Sequence, residues 1–137
     1  MPVVDASVVV DWVAPKADAG GPSARLLGRL TRTSAALYAP RLLIEEVGNA
    51  LLTGVRKKRW SGQQADEGFS LLRRMPVSLV DLPGDALRAW DLSRRFDEHP
   101  FYDMIYVAVA ERLGEEFLTA DRRLCDRVDL PFVRLVS

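Results

Sequence analysis

The chain has 137 residues, 48% of them hydrophobic and 28% charged, with a formal net charge of zero, one cysteine and one histidine. That length suits one domain around one substantial core, and the composition excludes a disordered chain, a coiled coil and a disulfide scaffold. No apolar run reaches the roughly 18 residues of a membrane span, and the apolar start is broken by Asp5 and Asp11 and lacks a basic leader, so a reducing cytoplasm is expected. With zero net charge, any contact with nucleic acid depends on local basic patches.

Pro2 to Val4 is a short β-branched run that ends at Asp5, and Ser7 to Val13 reads as a first helix rather than a continuation of the strand. The Ala/Gly/Pro-rich piece from Ala14 to Pro22 is a surface loop. Pro22 to Arg32 follows as a helix carrying Ala24, Leu26, Leu27 and Leu30, and Ala36 to Ala39 as a second strand. Pro40 opens a third helix, Arg41 to about Lys58, whose buried stripe is Leu43, Val47, Ala50 and Leu51. At about 100° per residue Glu46 lies on the edge of that stripe while Glu45 points nearly opposite, and Asn49 shares the edge with Glu46.

Ser61 caps a helix through Arg74, Val77 to Val80 is a third strand, and Asp85 to Phe96 a helix with Leu87, Trp90 and Leu92 available for burial. Tyr102 to Leu113 is the next helix, with Ile105, Tyr106, Val109, Ala110 and Leu113 on one stripe, Asp103 on its margin and Glu111 and Arg112 on the other side. Gly114 ends it. Phe117 to Thr119 is a buried strand, Asp121 follows it directly, Arg122 to Val128 is helical, and Phe132 to Leu135 is the last strand. Strands alternating with helices imply a mostly parallel sheet of about five strands, covered by helices on both faces, with the carboxyl ends of its strands along one edge.

That edge collects acids. Asp5 ends the first strand, Asp121 follows the fourth, Glu46 sits early in the helix after the second, and Asp103 starts the helix before the fourth. A cluster of carboxylates with no histidine or cysteine beside it makes a hard-oxygen site suited to Mg²⁺ or Mn²⁺, which serve phosphate chemistry. Taken singly, Asp103 and Asp121 also read as helix caps or first-turn acids, Asp5 as a turn residue and Glu46 as a paired acid at the core boundary. Ser7 and Thr119, each two residues from a candidate ligand, fit either the orientation of metal-bound water or ordinary hydroxyl capping. His99 has no evident partner and reads as structural or solvent-facing, and Cys125 as packing. Arg122 and Arg123 are the basic pair that must lie near a candidate ligand; the run Arg56 to Arg59 suits a helix C-terminus as well as phosphate contact. Neither a phosphate-binding glycine loop ending in Gly-Lys-Ser/Thr nor a dinucleotide fingerprint is present.

Three blocks, VVDASVVVDW, APRLLIEEVGNAL and HPFYDMIYVAVAERLGEEFLTADRRL, occur in order and span essentially the whole chain. In them the chain resembles the PIN-domain ribonucleases, and within these the VapC toxins of bacterial toxin–antitoxin pairs. The resemblance implies that residues 1–137 form one PIN domain and that Asp5, Glu46, Asp103 and Asp121 are its catalytic, metal-binding acids, with Ser7, Asn49 and Thr119 supporting them. It further implies Mg²⁺- or Mn²⁺-dependent cleavage of RNA, often tRNA or ribosomal RNA, that blocks translation, a homodimer, and a cognate VapB-type antitoxin that covers the site. Two other classes compete: a PIN-fold interaction module whose acids bind a partner's basic side chains, and an aspartate-nucleophile phosphatase or receiver. The last fits poorly, because Ser7 stands where its second aspartate belongs.

Overall fold

Seven helices surround a five-stranded, all-parallel sheet of order β3-β2-β1-β4-β5 in the computed structural model, which describes residues 1–15 and 20–136. The elements are β1 (Val3–Val4), α1 (Ala6–Val13), α2 (Pro22–Arg32), β2 (Leu37–Ala39), α3 (Leu42–Arg56), α4 (Gly62–Arg74), β3 (Val77–Leu79), α5 (Gly84–Arg95), α6 (Phe101–Leu113), β4 (Phe117–Thr119), α7 (Arg122–Arg127) and β5 (Val133–Leu135). The expected Ala14–Pro22 loop falls partly outside the described residues.

Local chemistry sets most of the boundaries. Pro22 occupies the first turn of α2. Ser61 and Gln64 form a reciprocal capping box at the start of α4. Gly114 closes α6 in the left-handed region at φ 67°, where a residue without a Cβ carries no steric penalty. No helix among the described residues is long and apolar enough to cross a membrane.

The central strand is also among the shortest. Val3 and Val4 point to opposite faces and neither is exposed, so both faces of the sheet are covered there. Val3 pairs with Tyr38 on one side and Phe117 on the other, which makes β1 the place where strand order reverses, β2 and β3 lying to one side and β4 and β5 to the other. Open α/β sheets bind ligands outside the carboxyl ends of the strands at such a switch point. Here those ends are Asp5, next after β1, and Thr119 to Asp121, at the exit of β4.

Helix α1 packs against α2, α3 and α4, while α5 packs along α6, which lies on β1 and β4. Two expectations are corrected. Leu92 is buried as expected, but Leu87 and Trp90 do not fill the core: they are 69% and 58% exposed, and α5 buries Asp85, Ala89 and Ser93 beside Leu92. With Leu92, the small and polar residues of this stripe let α5 lie against α6, fixed by the bidentate Arg112–Asp85 pair at 2.8 and 3.0 Å and by Arg88–Glu111 at 2.6 Å. On α6 the buried surface is broader than one stripe, because Met104, Val107 and Ala108 are buried with Tyr106, Val109 and Ala110, whereas Ile105 and Leu113 are only partly covered. A helix held between a sheet and another helix is covered on more than one side.

Candidate active site

The first acid is built into the switch point. Asp5 N donates to Leu118 O at 2.9 Å, extending the β1–β4 ladder by one rung, and Asp5 O then accepts from Val8 and Val9 as α1 begins. Its side chain caps nothing; its Oδ2 accepts from Ser7 Oγ at 2.8 Å and from Thr119 Oγ1 at 2.6 Å. Those hydroxyls are oriented in turn: Ala120 N donates to Ser7 Oγ and Asp121 N to Thr119 Oγ1, both at 3.0 Å. Both hydroxyl protons therefore converge on one carboxylate oxygen, and the exit loop of β4 holds them there. Asp5 is only 5% exposed, and burial lifts its carboxyl above the usual value against the pull of Thr119 and Ser7, with the charge of Asp103 adding to the lift.

Glu46 and Asp103 face the same region from two helices. Glu46 Oε1 is buried without a hydrogen-bond partner among the described residues, and so is the hydroxyl of Tyr106. Tyr106 stands near enough to favour ionised Glu46 but outside hydrogen-bonding geometry; burial outweighs it and, with the charges of Asp5 and Asp103, raises the Glu46 carboxyl. Tyr106 is held by stacking on Phe117, centroids 5.6 Å apart, and burial and Glu46 push its hydroxyl far up, so it stays protonated. Asp103 is half-buried and its Oδ2 lies 2.8 Å from His99 Nε2. Burial raises its carboxyl, His99 opposes the rise, and Asp121 adds to it. Glu45, by contrast, is exposed and pairs loosely with Arg41 at 3.5 Å, as the helical phase requires.

Asp121 is a helix cap: its Oδ1 accepts from Arg123 N and Leu124 N at 2.9 and 3.3 Å at the start of α7. The same carboxylate is near enough to Asp103 to repel it. The acids thus share an edge and feel one another, yet among the described residues no three acid, histidine or cysteine groups stand close enough together to hold a metal ion. Each of Asp5, Asp103 and Asp121 has taken a protein donor of its own. Asn49 is exposed and lies with Leu42, Glu45, Glu46 and Tyr102 around a shallow cleft of about 550 Å³. Arg122 and Arg123 are exposed beside Asp121. A larger cavity, about 720 Å³ between α3 and α4, is lined by Leu51, Leu52, Phe69, Arg73 and Arg74 but by none of these four acids.

Residues 3–130 match the family model of the PIN domain. The chain belongs to the PIN-domain family. Ribonuclease VapC1 of Mycobacterium tuberculosis is 37% identical over 134 residues, covering 94% of this chain and 92% of that protein. Ribonuclease VapC3 of the same organism is 36% identical over 122 residues, 89% and 83% of the two chains. The crystal structure of Mycobacterium tuberculosis VapC20, described as a sarcin-ricin loop cleaving toxin, superposes with a TM-score of 0.66 over 97% of each chain; at 18% identity it shows the shared fold.

Two polar residues of this PIN domain escape a reading of periodicity alone. His99 is neither solvent-facing nor without a partner: it is 6% exposed and bound to Asp103, and the signal was the four-residue spacing between them. Tyr106 was legible as a buried ring, but the nearness of its hydroxyl to Glu46, which belongs to a different helix, is a matter of tertiary structure. Cys125 packs partly against the core, and burial with the nearby Asp121 holds its thiol above the usual value, so it stays protonated.

Proposed function

We propose that this PIN domain, taken as the whole chain, is a divalent-metal-dependent endoribonuclease toxin of the VapC kind, acting on RNA in the cytoplasm. The observation that carries the reading is Glu46 Oε1, a buried carboxylate oxygen without a donor, among acids that burial and mutual repulsion hold above their ordinary pKa. Such an arrangement is unfavourable by itself and becomes favourable beside a cation, and an all-carboxylate donor set suits Mg²⁺ or Mn²⁺. Asp5, Glu46, Asp103 and Asp121 are the residues that would hold the ion, once drawn closer together than they stand here. When bound, it supplies a polarised phosphoryl oxygen and an acidified water.

The chain's own residues do the rest. Ser7 and Thr119 keep Oδ2 of Asp5 engaged, so the carboxylate cannot rotate freely. Glu46 Oε1 is a carboxylate oxygen on this edge that is buried and that no protein donor among the described residues satisfies. Asp121 Oδ1 is committed to α7, which fixes the direction of its other oxygen. Arg122 and Arg123, exposed beside it, are suited to backbone phosphates, and Asn49 and Tyr102 line the cleft next to Glu46. A VapB-type antitoxin that covers this edge, and a homodimer, complete the proposal.

The deciding experiment is cleavage of total RNA by the purified chain and by Asp5→Ala, with Mg²⁺, with Mn²⁺ and with chelator, mapping the fragment ends. Discrete cuts requiring both the metal and Asp5 support the reading. Folded, metal-loaded, antitoxin-free protein that cuts nothing would favour the interaction module, whose acids serve a partner's basic groups.

A further inference from the structure

The connection from α5 to α6 passes through two consecutive left-handed residues. Asp97 and Glu98 both adopt left-handed backbone conformations, with φ of 55° and 57°. Residues with a Cβ avoid that region, and strain of this kind persists where surrounding structure enforces it, often beside a functional group. The two residues turn the chain so that His99 N donates to Phe96 O at 3.1 Å and the imidazole is carried inward to 6% exposure.

There the ring makes one polar contact, Nε2 to Asp103 Oδ2 at 2.8 Å. Its other nitrogen, Nδ1, is buried without a partner among the described residues. An ionised carboxylate only accepts, so towards it Nε2 carries the proton, and Nδ1 is left unsatisfied whether it presents a lone pair or an N–H. Either way a polar atom is buried unpaired, which is unfavourable and which phenylalanine or leucine at this position would avoid. What histidine provides that they do not is a single donor aimed at Asp103. The contact occupies Oδ2 and leaves Oδ1 without a protein donor among the described residues.

We propose that His99 is a positioning residue for Asp103: its Nε2–H fixes the carboxylate so that Oδ1 is held ready for the cation, and the strained turn at Asp97 and Glu98 exists to deliver that donor. The inference rests on the ribonuclease reading above, in which Asp103 is a ligand. Hydrogen-bond partners that orient metal ligands commonly contribute ten- to a hundredfold in metal affinity or activity.

The test compares His99→Phe, which keeps most of the volume and removes the donor, with His99→Gln, whose amide donates from nearly the same place. Mn²⁺ affinity is measured without RNA by titration calorimetry, cleavage by kcat and KM, and folding by thermal melts in chelator. His99→Phe is expected to stay folded, bind Mn²⁺ about tenfold or more weakly and lose kcat by a similar factor with KM for RNA nearly unchanged. His99→Gln should recover most of both losses. A folded His99→Phe that binds Mn²⁺ and cleaves like the unmodified chain overturns the positioning role alone. Should that variant fail to fold, nitrogen-15 NMR of the unmodified protein decides. An Nε2–H tautomer whose signal moves when Mg²⁺ is added supports the role, and an Nδ1–H tautomer or a signal indifferent to Mg²⁺ overturns it. Absence of Mn²⁺ binding and of cleavage in the unmodified chain is a different result, which removes the ribonuclease reading and this inference with it.

Discussion

Replacing Thr119 with valine removes one oxygen from the most densely bonded point of the site and little else. Thr119 is fully buried; its hydroxyl donates to Asp5 Oδ2 at 2.6 Å and accepts from Asp121 N at 3.0 Å. Hydrogen bonds to charged groups contribute about 1.5–3 kcal/mol, and valine fits a strand at least as well as threonine. The Asp121 N–H lies near the surface, where water offsets much of its loss. The net cost where Asp5 is ionised is therefore about 2–3 kcal/mol, or roughly 6–15 °C in Tm for a domain of this size. The cost should also depend on pH, with a defined sign. Thr119 lowers the folded pKa of Asp5, so its removal matters most where Asp5 is ionised and shrinks as the carboxyl protonates. Urea unfolding in chelator from pH 5 to 8, for the parent chain and for Thr119→Val, measures both. A loss below about 0.5 kcal/mol, or one that grows towards acid, would refute the claim that the hydroxyl holds an ionised Asp5.

Other outcomes follow from the same geometry. Glu46→Gln should abolish cleavage and leave the metal-free chain as stable or more stable, whereas Glu45→Gln, on the exposed side of α3, should leave Mn²⁺ affinity nearly intact; equal losses in calorimetry would sink the assignment of Glu46. Asp5, Glu46 and Asp103 have folded pKa values above their unfolded ones, so their contribution to stability is present at low pH and is lost as pH rises through the folded values. Asp85 and Glu111 behave oppositely. Burial works against Asp85, but Arg112 and the Leu82 N–H hold it low, Arg88 holds Glu111 low, and their contribution disappears only at more acid pH. Melts in chelator should therefore show Tm rising as pH falls through the folded values of these three acids and falling again at more acid pH, with Asp103→Asn flattening the upper slope. A Tm that climbs steadily as pH rises would contradict this. Gly54→Ala should cost roughly 2–3 kcal/mol, because a Cβ there would overlap the Trp60 ring, which is pinned by Nε1 to Leu51 O at 2.9 Å; an unchanged Tm would mean that the ring moves freely.

Neighbours along the chain decide where helices begin and end and which acids lie near the core. The 3.6-residue period separates Glu46 from Glu45, and the structure finds one half-buried and the other exposed. Pro22, the Ser61–Gln64 box and Gly114 mark helix ends by chemistry contained within a turn or two. The alternation of strands and helices was enough to expect a parallel sheet with acids along one edge. Hydrophobicity within one element did not reveal which side that element buries. Leu87 and Trp90 look like core residues, but α5 turns its small and polar side to α6, because Arg112 claims Asp85 and Ala89 permits close approach. The site's hydrogen bonds were equally out of reach of a linear reading. Thr119 reaches Asp5 across 114 positions only because β1 pairs with β4, and His99 reaches Asp103 only because two left-handed residues turn it inward. Periodicity and capping are energies of local contact, whereas strand order and helix facing are settled by which distant surfaces cover one another. The sequence thus named the acids, and the tertiary structure chose the donors that hold them.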